Sequence, residues 1–189
     1  MGDFYKEHAK EFIDSTISCD MSAQYNFFLK YVNNKAKLLD IGFGSARDML
    51  YFRSIGFEVF GIDKEEKFVE HGLSLGLDVK KMTVEELDVV GKYHCIWACA
   101  SLLHCLDLNL AFNNCYKALT KDGIMYASFK YGNKEVVIND RYFNYVNEDI
   151  LESILLHTGF KLIDKCITYD VRRDREDELW FNVVLTKNK

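Results

Sequence analysis

Short apolar strands alternate with helical segments along most of this chain, and that alternation is the feature that most restricts its fold. KLLDI (37–41) is followed by the helical pattern ARDMLYFRSIG (46–56), and FEVFGI (57–62) by a second helix over 65–75. LDVKK (77–81) reads as a strand, 84–88 as a helical turn, YHCIWA (93–98) as a buried strand and 108–119 as a helix. GIMYASFK (123–130) is a long strand, and 146–158 is a helix stopped by Gly159. Strands alternating with helices predict an α/β fold, a mostly parallel sheet covered on both faces. FKLIDKCITYDV (160–171) and LWFNVVLTK (179–187) have no helix between them, so they must pair as an antiparallel hairpin. Before the first strand, apolar residues at helical spacing over 5–32 predict one or two amphipathic helices, an N-terminal cap over 1–34. No linker, repeat or composition break divides the 189 residues, so the expectation is one domain with its core over 35–189.

In such a sheet ligands bind beyond the carboxyl ends of the strands, beside the first one. The stretch there is LLDIGFGSARD, with Asp40 ending the strand and Gly42 and Gly44 in the turn. Glycines at these positions permit a tight turn and a close backbone approach to a ligand. Ser45 and Asp48 have capping-box spacing, which predicts a helix start at Ser45.

Two details separate the ligands that use such a turn. A dinucleotide site wants Gly or Ala three residues after the second glycine, where this chain has Arg47. Asp40 would also set a carboxylate near a pyrophosphate, whereas an α-ammonium group turns that repulsion into attraction. Asp63, ending the second strand 23 residues after Asp40, is placed to accept hydrogen bonds from ribose hydroxyls. A ligand with an ammonium, a ribose and no phosphate satisfies both carboxylates, and S-adenosylmethionine is such a ligand. The competing reading makes both aspartates turn residues and the glycines loop formers.

The order Asp40-x-Gly42-x-Gly44, Gly61-Ile62-Asp63, Lys81-Met82-Thr83, WACASLLH (97–104), LTKDGIMYASFK (119–130) and RYF (141–143) resembles class I S-adenosylmethionine-dependent methyltransferases, and most of all the short bacterial tellurite-resistance type. The resemblance implies a Rossmann-like seven-stranded sheet of order 3-2-1-4-5-7-6 with strand 7 antiparallel. It also implies cofactor contacts from Asp40, Gly42, Phe43, Gly44, Asp63, Lys64, Met82, Thr83 and Ala98, with S-adenosylhomocysteine as product. Phe43 departs from the small residue usual between the glycines and is expected to narrow the loop, Ala46 stands where a glycine is common, and the L-K-P-G-G turn is here L-T-K-D-G.

Methyl transfer from a sulfonium needs alignment and exclusion of water, and a base only when the acceptor arrives protonated. His104 is the candidate catalytic base, against the alternative of a histidine satisfied by a carbonyl. Tyr5, Phe12 and Tyr25 are candidates for a lid, with core packing as the alternative. Arg141 and Tyr142 are read on a polar loop after the fifth strand, where the arginine would grip an anionic acceptor. The run RRDRED (172–177) looks like a solvated turn without chemistry. Cys99, His104 and Cys105 match no zinc spacing, so no metal is expected.

A net charge of -5 removes long-range attraction for phosphate backbones, so nucleic acid is not expected as a partner. The charged start without an apolar run and cysteines without a C-x-x-C pair suggest a cytoplasmic protein, no membrane association, and a monomer or homodimer. The sequence reading is therefore methyl transfer to a small-molecule acceptor. A cofactor-binding protein without transfer and a nicotinamide-dependent oxidoreductase are the alternatives.

Overall fold

The computed structural model describes residues 4–33, 35–172, 175 and 177–187. Two helices, α1 (Phe4–Thr16) and α2 (Ser22–Leu29), precede the sheet. Then β1 (Lys37–Ile41), α3 (Arg47–Ser54), β2 (Glu58–Asp63), α4 (Glu66–Ser74), β3 (Asp78–Lys81), β4 (Tyr93–Ala98), α5 (Leu108–Ala118) and β5 (Leu119–Tyr131) alternate as expected. The chain continues through β6 (Glu135–Ile138), β7 (Arg141–Val146), α6 (Glu148–Thr158), β8 (Phe160–Tyr169) and β9 (Leu179–Lys187).

Strands β3, β2, β1, β4 and β5 lie side by side and parallel, β9 runs antiparallel along β5, and β8 flanks β9. Counted over the seven strands expected from sequence, this is the order 3-2-1-4-5-7-6 with an antiparallel seventh strand. Leu38 and Leu39 point to opposite faces of β1 and are both fully buried, because helices cover both sides of a parallel sheet. One core cluster lies under α5 and α6. Another joins α2 and α3 to Trp97 and Tyr126, whose rings stack 3.9 Å apart. Among the described residues no helix is long and apolar enough to cross a membrane.

Two local expectations are corrected. Residues 141–143 are not in a loop but open β7, which pairs antiparallel with β6 and joins the carboxyl end of β5. The turn between them has Asn139 at φ 48° and Asp140 at φ 57°, the doubly left-handed backbone that suits a two-residue hairpin. The helix α3 begins at Arg47 rather than Ser45, with Ala46 at φ 62° and no side-chain cap. Asp48 is drawn instead into a buried network, so it cannot complete a capping box. Ala98 ends β4 fully buried and in register with Ala127.

Candidate functional site

The turn after β1 is built as its glycines suggest. Gly42 and Gly44 have φ of 68° and 51°, and a Cβ on Gly42 would lie 2.6 Å from the Ser101 Cβ. The Gly42 N–H donates to the Ile62 carbonyl at 2.7 Å, tying the turn to β2. Asp63 buttresses it from the side: one carboxylate oxygen accepts the Gly44 N–H at 3.1 Å and the other the Glu65 N–H at 2.9 Å. Burial pushes the Asp63 carboxyl up to about 6, against the lowering effect of those two donors.

Two cavities meet at this turn. The larger, about 480 Å³, is lined by Asp63, Lys64, Met82 and Thr83 together with Gly42, Gly44 and Ser101. Its ionisable wall is mainly acidic, with Asp63, Glu65, Glu85 and Asp107 set against Lys64. The smaller, about 150 Å³, has the opposite character: Arg47, Lys130, Arg141, Arg172 and Arg175 against Asp48 and Asp170. Tyr5, Phe12, Gly42, Gly44, Ala100 and His104 border both.

The residues singled out in the sequence fall into different places around these cavities. Asp40 is 2% exposed and reaches neither cavity wall; its Oδ2 is buried without a hydrogen-bond partner. Burial, then the neighbouring Asp48 and Asp63, raise its carboxyl well above the usual range despite Arg47. Phe43 borders the smaller cavity, but its ring belongs to the cluster of Met49, Phe68 and Val69. The ring therefore fills the space over Gly61 and Gly72, where a Cβ would meet it at 2.8 and 3.3 Å, and does not narrow the turn as expected. Ala98 lies one step below the site, whose wall at this strand end is made by Ala100 at φ 51° and by Ser101.

His104 stands between the cavities. Its Nδ1 is 2.7 Å from the Tyr142 carbonyl oxygen, which fixes a proton there, so Nε2 accepts from the Tyr5 hydroxyl at 3.1 Å. Burial lowers its basicity to about 4, only partly opposed by the carbonyl, and Lys64, Arg141 and Lys130 push the same way. The imidazole is thus neutral near pH 7 with both nitrogens occupied. On β7 successive side chains alternate. Arg141 faces the smaller cavity, its guanidinium 4.1 Å from the Phe4 ring centre and 5.2 Å from that of Phe143. Tyr142 turns away, and its hydroxyl donates to Glu135 at 2.6 Å; only its carbonyl serves the site.

Of the three lid candidates, Tyr5 and Phe12 on α1 lie over the turn, the Phe12 ring 2.9 Å from where a Gly44 Cβ would be. Tyr25 is core instead. It stacks on Tyr51 at 3.8 Å and donates to Asp48 at 2.6 Å. Asp48 also accepts from Trp97 Nε1 at 2.9 Å and Arg47 Nε at 2.7 Å; although burial opposes ionisation, these partners hold its carboxyl below the usual range.

Among the residues missed in the sequence are Arg172 and Arg175, which line the smaller cavity although the run 172–177 read as a solvated turn. Arg173, Asp174 and Glu176 of that run lie outside the described residues. Trp180 donates to Asp170 at 2.9 Å and Arg172 bonds the same carboxylate at 2.6 Å, folding this hairpin end onto the cavity. A charge run has the same pattern whether it faces solvent or a cleft, so spacing held no signal for it.

A ligand with an ammonium, a sulfonium and a ribose fits this setting. The glycines leave no room for side chains, Ser101 Oγ on the wall of the larger cavity is buried without a partner, and that cavity is acidic where a cation would sit.

Comparison with known proteins agrees. Residues 39–127 match the family described as methyltransferase domain, which bears out the methyltransferase enzyme read from the sequence. No curated protein matches the chain by sequence. Its fold is similar to that of the Burkholderia thailandensis 1,6-didemethyltoxoflavin-N1-methyltransferase, solved with 1,6-didemethyltoxoflavin and S-adenosylhomocysteine bound, with a TM-score of 0.81 at 17% identity, covering 98% of this chain and 84% of that one. An S-adenosylmethionine-dependent methyltransferase from Clostridium acetobutylicum superposes with a TM-score of 0.73 at 15% identity, over 98% of this chain and all (100%) of that one. The [4+2]-cyclase SpnF does so with 0.78 at 14% identity, over 98% and 94%. These likenesses bear out the Rossmann-like fold expected from the sequence.

Proposed function

We propose that this methyltransferase moves the methyl group of S-adenosylmethionine to a small-molecule acceptor held in the cation-lined cavity. The observation that carries this is the pair of cavities of opposite charge meeting at the glycine turn, one suited to a cationic donor and the other to an electron-rich acceptor. Gly42 and Gly44 supply close backbone, Asp63 the acceptor for ribose hydroxyls, and Lys64, Met82 and Thr83 the remaining wall of the donor site. Asp40 lies closed behind the turn, where burial favours its neutral carboxyl, so the negative potential for the ammonium group comes from the acidic wall of Asp63, Glu65, Glu85 and Asp107. When bound, the cofactor supplies an activated methyl on a sulfonium that departs as a neutral thioether.

The acceptor's lone pair forms the new bond to the methyl carbon while the carbon–sulfur pair stays on sulfur, so an anionic acceptor needs no proton removed. That suits His104, which is neutral, weakly basic and already bonded on both nitrogens. Its role here is to position Tyr5 and α1, rather than the base catalysis expected from sequence. Tyr5 and Phe12 exclude water at the junction, where a dry path strengthens every electrostatic contact. Arg141 faces the acceptor and Tyr142 acts through its carbonyl. A tellurite-type oxyanion is one anion that such a cavity would attract. The net charge of -5 supports a partner that is neither nucleic acid nor an anionic membrane, and with the unpaired cysteines supports a cytoplasmic monomer or homodimer.

The alternative is cofactor binding without methyl transfer, and one structure similar in fold is named as a cyclase rather than a methyltransferase. The experiment is calorimetric titration with S-adenosylhomocysteine and with NAD, followed by a methyl-transfer assay against cell extract. S-adenosylhomocysteine should bind, and Asp63→Ala should weaken it by about 1–3 kcal/mol, the cost of lost hydrogen bonds to a charged acceptor. Tight NAD binding without a response to S-adenosylhomocysteine would overturn the proposal. Cofactor binding with no transfer to any extract component would favour the alternative.

A further inference from the structure

The smaller cavity carries more detail than its sign. Among the described residues, Arg47, Lys130, Arg172 and Arg175 each have a carboxylate within 3.5 Å, from Asp48, Glu178, Asp170 and Glu178 respectively. Arg141 has no carboxylate partner among the described residues, and its Nε is buried without a hydrogen-bond acceptor. A buried guanidinium donor is costly to leave unmet, and a planar fork of donors matches a carboxylate or another oxyanion at two points.

The walls are aromatic. Phe143 lies beneath both Lys130 and Arg141, whose charged groups are 5.3 and 5.2 Å from its centre, while Tyr5 and Trp180 border the same space. Flat rings on several sides favour a flat occupant, because offset and edge contacts between rings add to the area they bury. On the floor, Gln24 is 6% exposed, and its Oε1 is buried without a partner. A side-chain amide oxygen left so, on α2 and remote in sequence from Arg141, asks for a donor from the ligand.

We infer that the methyl acceptor is an aromatic or heteroaromatic acid: a planar ring with an anionic group on Arg141, an N–H or O–H donor toward Gln24, and a free lone pair on a further ring atom or substituent facing the glycine turn, which forms the bond to the methyl carbon while the carbon–sulfur pair stays on sulfur. This rests on the reading of the protein as a methyltransferase with its acceptor in this cavity. Arg141 is then a specificity-determining residue, and Gln24 a second one that reads the opposite edge of the ring.

The test screens the full-length protein, loaded with S-adenosylhomocysteine, against matched sets of mono- and bicyclic aromatic carboxylates, their carboxamides and saturated-ring carboxylates. Binding is followed by ligand-observed NMR and by tryptophan fluorescence. The carboxylates with a ring N–H or O–H should bind at least about tenfold more tightly than their amides, as expected for a charge-assisted pair. They should exceed the saturated acids, and raised salt should weaken them alone. R141Q should erase the acid–amide difference and Q24L the preference for ring donors, both without change in S-adenosylhomocysteine affinity, which reports on the fold. Equal binding of acids and amides in the wild-type protein, saturated acids as tight as aromatic ones, or no aromatic acid retained by cofactor-loaded protein would overturn the inference. Failure to bind S-adenosylhomocysteine at all would instead refute the methyltransferase site on which it rests.

Discussion

Gly42→Ala isolates the contact that holds the glycine turn against the strand-four loop. Alanine at φ 68° bears the left-handed penalty of about 1–2 kcal/mol. Its Cβ would start 2.6 Å from the Ser101 Cβ, roughly 1 Å inside the usual carbon–carbon separation, and such overpacking costs about 1–3 kcal/mol. A gain of about 0.4–1 kcal/mol from the stiffer unfolded chain offsets part of this. The net expectation is a loss of about 2–4 kcal/mol in urea unfolding, with the turn displaced and S-adenosylhomocysteine affinity reduced. Introducing the same change in a Ser101→Gly background removes the clash and keeps the backbone penalty, so the cost measured there should fall to about 1 kcal/mol. A cost below about 0.5 kcal/mol in the wild-type background, or an equal cost in both, would refute the close approach of these two loops.

Cofactor affinity should depend on Asp63 ionisation: with its carboxyl at about 6, S-adenosylhomocysteine binding should strengthen from pH 5 to pH 7, and calorimetry of Asp63→Asn should lose that slope. The same raised value has a stability consequence of defined sign, since what this group contributes is present below its unfolded range and is lost as pH rises through about 6. For His104 the shift is downward to about 4, so its contribution to stability is present above its unfolded range and fades as pH falls from there toward 4. NMR should find no imidazole titration assignable to His104 between pH 5.5 and 8, and a neutral-range titration removed by His104→Gln would restore it as a base.

What the sequence determines by itself is the set of local periodicities and punctuation. The adjacent Leu38 and Leu39 of KLLDI demand burial on two faces, the apolar residues of FEVFGI and YHCIWA repeat the demand, and the glycines after Ile41 leave one compact way to turn into α3. From these the parallel sheet, the terminal hairpin and the acidic ends of β1 and β2 follow without knowledge of any contact. The Asn139-Asp140 hairpin obeys the same rules, since VVI and RYF flank a two-residue turn, yet the sequence reading placed RYF on a loop and the pairing of β6 with β7 corrects it.

Tertiary structure alone decides which way each polar side chain faces and what it finds there. Asp40 and Asp63 share a motif and a position at a strand end, yet one is closed behind the turn and the other opens onto a cavity. Tyr5 and Tyr25 sit on neighbouring helices, yet one bonds His104 over the site and the other bonds Asp48 in the core. Arg172 and Arg175 lie in a charge run that reads as surface, and only the fold of β8 against β9 brings them to the acceptor cavity. The physical reason is that strand and helix formation depends on neighbours within a few residues, whereas the charge, protonation and partners of a buried group are set by elements far away along the chain.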